Sequence, residues 1–214
     1  RRAGRKTGPK PRFTREDVIN AAVELGIDRF TLGAVAAKLG IATSAMYRLF
    51  DSRDALVDAC LAQAAAEIGM IMLDELPWPE LLRNWAETTW NICEKYPGLD
   101  ITIFQYTQSF SHVRGFTQHA MGILMAQGFA RSEALFALDF IGDTVLATHI
   151  GMSAMRHSPE GMDIVRRTIT ELSAETLLDN KDHWNAQRGF LDAKVEFIIA
   201  GLRQQLGQRA TEKT

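Results

Sequence analysis

The sequence is poor in cysteine, and neither cysteine stands in a recognisable motif. Of 214 residues two are cysteine. These residues, Cys60 and Cys93, lie far apart, with no C-x-x-C and no histidine at the spacing of a zinc ligand. A disulfide framework and a structural zinc site are therefore not predicted. We expect reduced thiols, no metal and no cofactor.

Long hydrophobic runs are also missing. The most apolar long stretch, residues 56–73, is interrupted by charged and polar side chains. No run reaches the roughly 20 apolar residues that a membrane span needs, and the basic beginning lacks the apolar segment of a signal peptide. We expect a soluble cytoplasmic protein with no membrane partner.

The motifs of common enzymes are absent. There is no G-x-G-x-x-G, no P-loop, no G-x-S-x-G and no H-E-x-x-H. The five histidines show no metal-ligand spacing on a shared face. An enzyme is the main functional class to be considered as an alternative, and the sequence does not favour it.

Signals for β-strands are nearly absent, since there is no Asn-Gly or Asp-Gly turn and no sustained alternation. Apolar residues instead recur at i, i+3 and i+4 in segment after segment. This predicts an all-α fold. We divide the chain into a flexible basic arm (residues 1–13), an N-terminal head of three short helices (14–60) and a C-terminal helical-bundle body (61–214).

Positive charge is concentrated at the beginning of a chain whose net charge is −2. No acidic residue precedes Glu16, whereas seven basic residues do: Arg1, Arg2, Arg5, Lys6, Lys10, Arg12 and Arg15. Lysine and arginine neutralise phosphates, and an arginine-rich arm before a three-helix head can enter the minor groove. The arm, Arg12 included, is expected to bind DNA; a solvating tail is the alternative.

The head contains two short helices joined by a three-residue turn. A first helix starts at Thr14. The second, residues 32–39, has Thr31 as its N-cap and is closed by Gly40, and the third runs over residues 43–50. Helices joined by such a turn form a helix-turn-helix unit.

The third helix presents polar side chains on its outer surface. Met46 and Phe50 lie one turn apart and face inward, which leaves Thr43, Ser44, Tyr47 and Arg48 outside. Arginine can form a bidentate hydrogen bond with guanine or bind a phosphate, and the threonine, serine and tyrosine can reach phosphates or base edges. The alternative is an ordinary solvated face.

The segments FTLGAVA (30–36), LGIATSAMYRLF (39–50) and RDAL (53–56) closely resemble the TetR family of bacterial repressors. The resemblance covers residues 14–60. It implies that Thr31 and Arg53, each at a helix start, bind phosphates and that Gly40 makes the turn. It also implies that the outer residues of the third helix face the major groove.

One position departs from the family pattern. Leu49 stands where the family commonly has a histidine or tyrosine on the DNA backbone. That contact is then missing or is supplied by Lys38 or the arm. For the body the resemblance implies only a helical bundle, a two-fold dimer and often a ligand cavity.

Two helices of the body, residues 132–155 and 189–208, are apolar on more than one side. Ser132 is the expected cap of the first. Such helices can pack both against the core of their own subunit and against another subunit. This predicts a homodimer through a four-helix seam.

Aromatic and flexible side chains with scattered polar groups suggest a cavity in the body for a small, largely apolar effector. The predicted lining consists of Trp85, Thr89, Phe104, Phe110, Met121, Met125, Phe140, Thr144 and His149. An ordinary core is the alternative, with His149 as a hydrogen-bonded core histidine.

Together these patterns predict a dimeric repressor that binds double-stranded operator DNA and is released by its effector. A DNA-binding protein of the same fold that does not switch, and an activator, remain alternatives.

Overall fold

The computed structural model describes residues 13–69, 76–106, 109–175 and 187–212. Arg12 and the rest of the arm before Phe13 lie outside these residues. Within them the chain forms ten helices, and the all-α fold with an N-terminal helix-turn-helix is confirmed. The helices are α1 (Arg15–Leu25), α2 (Leu32–Lys38), α3 (Thr43–Met46), α4 (Arg53–Ile68), α5 (Trp78–Lys95), α6 (Leu99–Gln105), α7 (Ser109–Ala126), α8 (Arg131–Arg156), α9 (Pro159–Glu175) and α10 (Leu191–Glu212).

Local capping signals set the helix starts in the head. Thr14 and Asp17 form a reciprocal capping box at α1, and the Thr31 side chain accepts the N–H of Ala34 at α2. Gly40 has a φ of +66°, which favours glycine at the turn.

The third helix is shorter than predicted. α3 ends at Met46, and residues 47–49 form turns. The N–H of Phe50 still bonds the carbonyl of Met46 at 3.0 Å. The chain therefore keeps a helical course to Phe50, although regular α-helix covers only its first turn.

The core of the head continues into the body. Buried residues of α1 to α4 pack in one cluster with Ile92, Cys93 and Tyr96 at the end of α5 and with Leu99. Cys60 and Cys93 are free thiols in this cluster, and burial raises the pKa of Cys60 to about 12. The division at residue 60 is therefore not a gap in packing.

α8 is the central helix of the body and packs against α5, α6, α7, α9 and α10. By length and composition alone it is apolar enough to cross a membrane, which was not predicted from the sequence. Its buried side chains supply the core, however, including Leu138, Ile141, Val145 and Met152. The expected cap Ser132 is wrong: the helix starts after Ala130, whose N–H is accepted by the carboxylate of Glu133 at 2.7 Å.

A buried polar group fixes α8 to α5 and α6. His149 contacts Asp100 through Nδ1 at 2.6 Å and Glu94 through Nε2 at 3.2 Å, and Arg156 donates to Glu94. Burial raises the pKa of Asp100, but the bonds from His149 and from the Ile101 N–H outweigh burial and hold that pKa below its ordinary value. His149 was predicted as a ligand contact; the structure uses it as a core histidine.

We expect Asp100→Asn to lower the free energy of unfolding by about 3 kcal/mol, because the buried imidazole of His149 loses its buried carboxylate. Urea denaturation followed by circular dichroism at neutral pH measures this. Glu94→Gln is the control, since that carboxylate is 40% exposed and should contribute under about 1 kcal/mol. Because the pKa of Asp100 is lowered by folding, its contribution is lost as pH falls below the ordinary 3.8. Equal losses from both substitutions would contradict this assignment.

Candidate nucleic-acid interface and ligand cavity

The outer surface of the third helix has the predicted side chains on it. Met46 and Phe50 are buried, whereas Thr43, Ser44 and Arg48 are exposed. Tyr47 is 54% exposed, a large fraction for an aromatic side chain. The structure thus brings these four polar residues together on one accessible surface beside the turn at Gly40.

The other predicted phosphate contacts lie around this surface. Thr31 is exposed, and its oxygen already accepts the N–H of Ala34 at 3.1 Å, which leaves the hydroxyl hydrogen for a phosphate. Lys38 forms an exposed ion pair with Glu24 at 2.7 Å. Such surface pairs are weak, so this lysine can exchange Glu24 for a phosphate.

The side chain of Arg53 is bonded within the protein, whereas the family resemblance implied that it binds a phosphate. Its Nε donates to the carbonyl of Phe30, and one terminal nitrogen donates to the carbonyls of Ile27 and Asp28 at 3.1 and 2.9 Å. The other terminal nitrogen donates to the Tyr106 hydroxyl at 2.8 Å. Four of the five N–H groups of the guanidinium are bonded within the protein, and the guanidinium lies over the Phe30 ring. The side chain is therefore a structural clamp, and a phosphate contact by this residue stays a prediction.

The same junction contains a backbone contact between head and body. The N–H of Ile27 donates to the carbonyl of Pro97 at 2.8 Å. Gly98 has a φ of +81°, and a Cβ there would lie 1.9 Å from the Asp28 carboxylate. Only glycine fits this close approach. This contact of Pro97-Gly98 with the head was not predicted from the sequence.

A cavity of about 200 Å³ lies among α4, α5, α6, α7 and α8. Most of its lining is apolar, and Trp85 and Phe116 form a parallel stack with ring centroids 4.9 Å apart. Its lining residues are Leu61, Ala64, Ala65, Ile68, Trp85, Thr89, Ile92, Leu99, Ile103, Phe104, Ser109, Phe110, His112, Val113, Phe116, Thr117, Leu135, Leu138, Asp139, Gly142, Asp143 and Leu146.

Four of the nine predicted ligand contacts line this cavity, namely Trp85, Thr89, Phe104 and Phe110. The other five do not. Met121 packs against the core of the body and Met125 is 41% exposed. Phe140 and Thr144 line a separate groove between α8 and α10. His149, as described above, is bonded to Asp100 and Glu94. These five side chains therefore lie outside this cavity.

Several lining residues were missed. Asp139 and Asp143 stand four residues apart on α8, in register with Leu135, and that i, i+4 spacing was the available signal. His112 on α7 contacts Asp58 on α4 at 2.7 Å and so ties two walls together. None of these charged residues was predicted from the sequence to lie at the cavity.

The comparisons agree with this architecture. Residues 19–60 match the family model described as bacterial regulatory proteins of the tetR family. No curated protein matches the chain.

Solved structures share the fold over nearly the whole length. TetR from Acinetobacter baumannii AYE has a TM-score of 0.61 at 19% identity, with 91% of this chain and 99% of that chain covered. A TetR variant from the same organism in complex with minocycline has a TM-score of 0.59 at 19% identity, covering 91% and 98%. A possible TetR family transcriptional regulator from Streptomyces coelicolor A3(2) has a TM-score of 0.53 at 19% identity, covering 92% and 100%.

We expect Arg53→Ala to lower the free energy of unfolding by about 2 kcal/mol, because the carbonyls of Ile27, Asp28 and Phe30 lose their donor. Arg48→Ala is the matched control: it removes an exposed arginine of the same head and should change stability by less than about 0.5 kcal/mol. Urea titration of both variants decides the matter. If Arg53→Ala is as stable as Arg48→Ala, the clamp is not holding the head.

Proposed function

We propose that this chain, whose residues 19–60 match the model of the tetR family of bacterial regulatory proteins, is a DNA-binding transcriptional repressor that acts in the cytoplasm as a homodimer. In this proposal a small molecule in the cavity of the body releases the operator. The observation that supports it best is the shared wall: the helix that begins in the head, α4, also lines the cavity.

DNA binding is assigned to the exposed surface of the third helix. Arg48 and Tyr47 are accessible and carry donors for base edges and phosphates, and Thr43 and Ser44 lie at the helix start. Thr31, Lys38 and the arm with Arg12 are proposed to bind the flanking phosphates. The arm would add salt-dependent affinity, since each neutralised phosphate releases counterions.

The dimer seam is assigned to α8 and α10. Phe136 and Phe140 on α8 are both about half exposed with ring centroids 5.5 Å apart, and Phe197 on α10 is 82% exposed. Large apolar side chains that remain exposed together mark an interaction surface. A two-fold pairing through this face would set the spacing of the two heads, as reading two half-sites requires.

Release is assigned to a tilt of α4. Leu61, Ala64 and Ile68 of α4 line the cavity, whereas the start of α4 carries the Arg53 clamp on the head. A ligand that fits better when α4 is tilted must disfavour the head spacing that fits DNA, and a coupling of about 1 to 3 kcal/mol is enough for a switch. The TetR variant crystallised with minocycline shows that a related fold takes a small molecule.

Two alternatives, a DNA-binding protein that does not switch and an activator, differ in what they require of the structure. A DNA-binding protein that does not switch has no use for an open cavity beside α4, and the cavity of about 200 Å³ therefore favours a sensor. An activator would share every contact described here, because its effect depends on where the operator lies relative to the promoter.

We expect Tyr47→Ala and Arg48→Ala each to weaken binding to a palindrome selected from random DNA. The expected loss is about 1 to 3 kcal/mol for each substitution. Arg48→Ala should also relax base preference, because a guanidinium can read a guanine edge. Fluorescence anisotropy at fixed salt measures the affinities. Arg166→Ala is the control, since this exposed arginine lies on α9 in the body. Unchanged affinity in both head variants would show that the DNA-reading surface is elsewhere.

We expect Phe197→Asp to shift the protein from dimer to monomer in sedimentation velocity at micromolar concentration, because it buries a charge in the seam. Phe197 is preferred to its neighbour Ile198, which is 8% exposed and supports the core of each protomer. Glu160→Ala on the exposed surface of α9 is the control and should leave the dimer intact. A wild-type monomer under these conditions contradicts the proposed assembly.

A further inference from the structure

The charged lining of the cavity has one sign. Asp139 and Asp143 both line it, and the lining contains neither lysine nor arginine. Within the part of the chain that the structure describes, no basic group forms an ion pair with either carboxylate. His112, the other titratable residue of the lining, is held by Asp58 of α4. A negative side of the cavity is thus left without a protein counterion.

The hydroxyl groups of the lining point to the same kind of ligand. Thr89 donates its hydrogen to the carbonyl of Trp85, Thr117 to that of Val113, and Ser109 to that of Tyr106. A hydroxyl has a single hydrogen, so these groups have only lone pairs left for a ligand. They add hydrogen-bond acceptors to the two carboxylates and favour a ligand that is a donor or a cation.

The aromatic walls fit a flat ring. Trp85 and Phe116 stack on each other within 6° of parallel and 4.9 Å between centroids, so that a bound ring can extend this stack on an outer face. Gly142 of α8 lies beside the Trp85 indole, whose Nε1 is 3.9 Å from where a Cβ would be. Phe104 and Phe110 are 54% and 61% exposed and so are accessible to a bound molecule. Aromatic faces attract cations as well as stack on flat apolar rings.

The carboxylates also repel each other. Partial burial, and after it the charge of Asp139, raise the pKa of Asp143. Like charges four residues apart on a helix are unfavourable. A bound cation relieves the repulsion between Asp139 and Asp143, and this relief adds to the free energy of binding.

We propose that the cavity selects flat aromatic cations, with the ring against Trp85 and Phe116 and the charge beside Asp139 and Asp143. This inference rests on the proposed function, in which the cavity holds the effector. It narrows a largely apolar effector to an organic cation, and it excludes anionic ligands of the same shape.

Isothermal titration calorimetry with three ring-matched probes tests this: the cation N-methylacridinium, the neutral N-methylacridone and the anion acridone acetate. We expect the full-length dimer to bind the cation at least about ten-fold more tightly than the neutral probe, which equals about 1.4 kcal/mol, and to bind the anion most weakly. Raising the salt concentration should weaken binding of the cation and leave that of the neutral probe unchanged.

The double variant Asp139→Asn with Asp143→Asn should weaken cation binding about ten-fold and change binding of N-methylacridone by less than two-fold. Its matched control, Glu160→Gln with Glu171→Gln, removes the same charge from the exposed surface of α9 and should behave as wild type. Circular dichroism checks that each variant is folded. Because the aspartate variant removes a repulsion, we expect it to be at least as stable as wild type.

Equal affinity for the cation and the neutral probe, or cation binding unaffected by the aspartate variant, overturns the inference. So does the absence of binding by all three probes. Affinity for the selected palindrome is measured on the same unliganded samples. If that DNA is bound, the proposed regulator stands even where charge selection fails; if no DNA is selected, the proposed function fails while calorimetry still decides the cation question.

Discussion

The structure depends on the clamp that Arg53 makes between the head and the first long helix. One guanidinium donates to the carbonyls of Ile27, Asp28 and Phe30 and to the hydroxyl of Tyr106. Those carbonyls lie in the segment between α1 and α2, and Tyr106 follows α6. Since a planar guanidinium offers five donors in fixed directions, it joins three separate parts of the chain at the N-terminus of α4. Any movement of α4 is therefore imposed on the head.

Three faces of α8 have different surroundings, and the mostly apolar composition of the helix reflects all three. One stripe is buried in the core of the body, a second lines the cavity with Asp139 and Asp143, and a third exposes Phe136 and Phe140. A helix that is apolar on nearly every side resembles a membrane span by composition. In the proposed dimer the same composition arises because each face of the helix packs against a different neighbour.

Sequence reasoning succeeded where the signal is local. The start of the first helix at Thr14, the cap Thr31 and the turn at Gly40 depend on neighbours within four residues, and the structure has them as predicted. It failed where partners are distant along the chain. The acceptors of Arg53 lie 23 to 53 residues away, and nothing in the local pattern distinguishes a clamp from a phosphate ligand. The same holds for the cavity: Phe116 and Met125 both sit on α7, and only packing decides which of them faces α4.

The continuity of the core between head and body limits how a ligand can act. Because α1 to α4 share one buried cluster with the end of α5, and because Ile27 is bonded to Pro97 across the junction, loosening the head alone would break apolar contacts and hydrogen bonds together. Exposing one large apolar side chain costs about 1.5 to 3 kcal/mol, so exposing three or more of them together exceeds the 1 to 3 kcal/mol typical of allosteric coupling. A ligand in the cavity is therefore better able to move the head as a rigid unit with α4 than to unfold it. In a dimer, a small rotation of that unit is enough, because two half-sites bind together only when the heads match the repeat of the major groove.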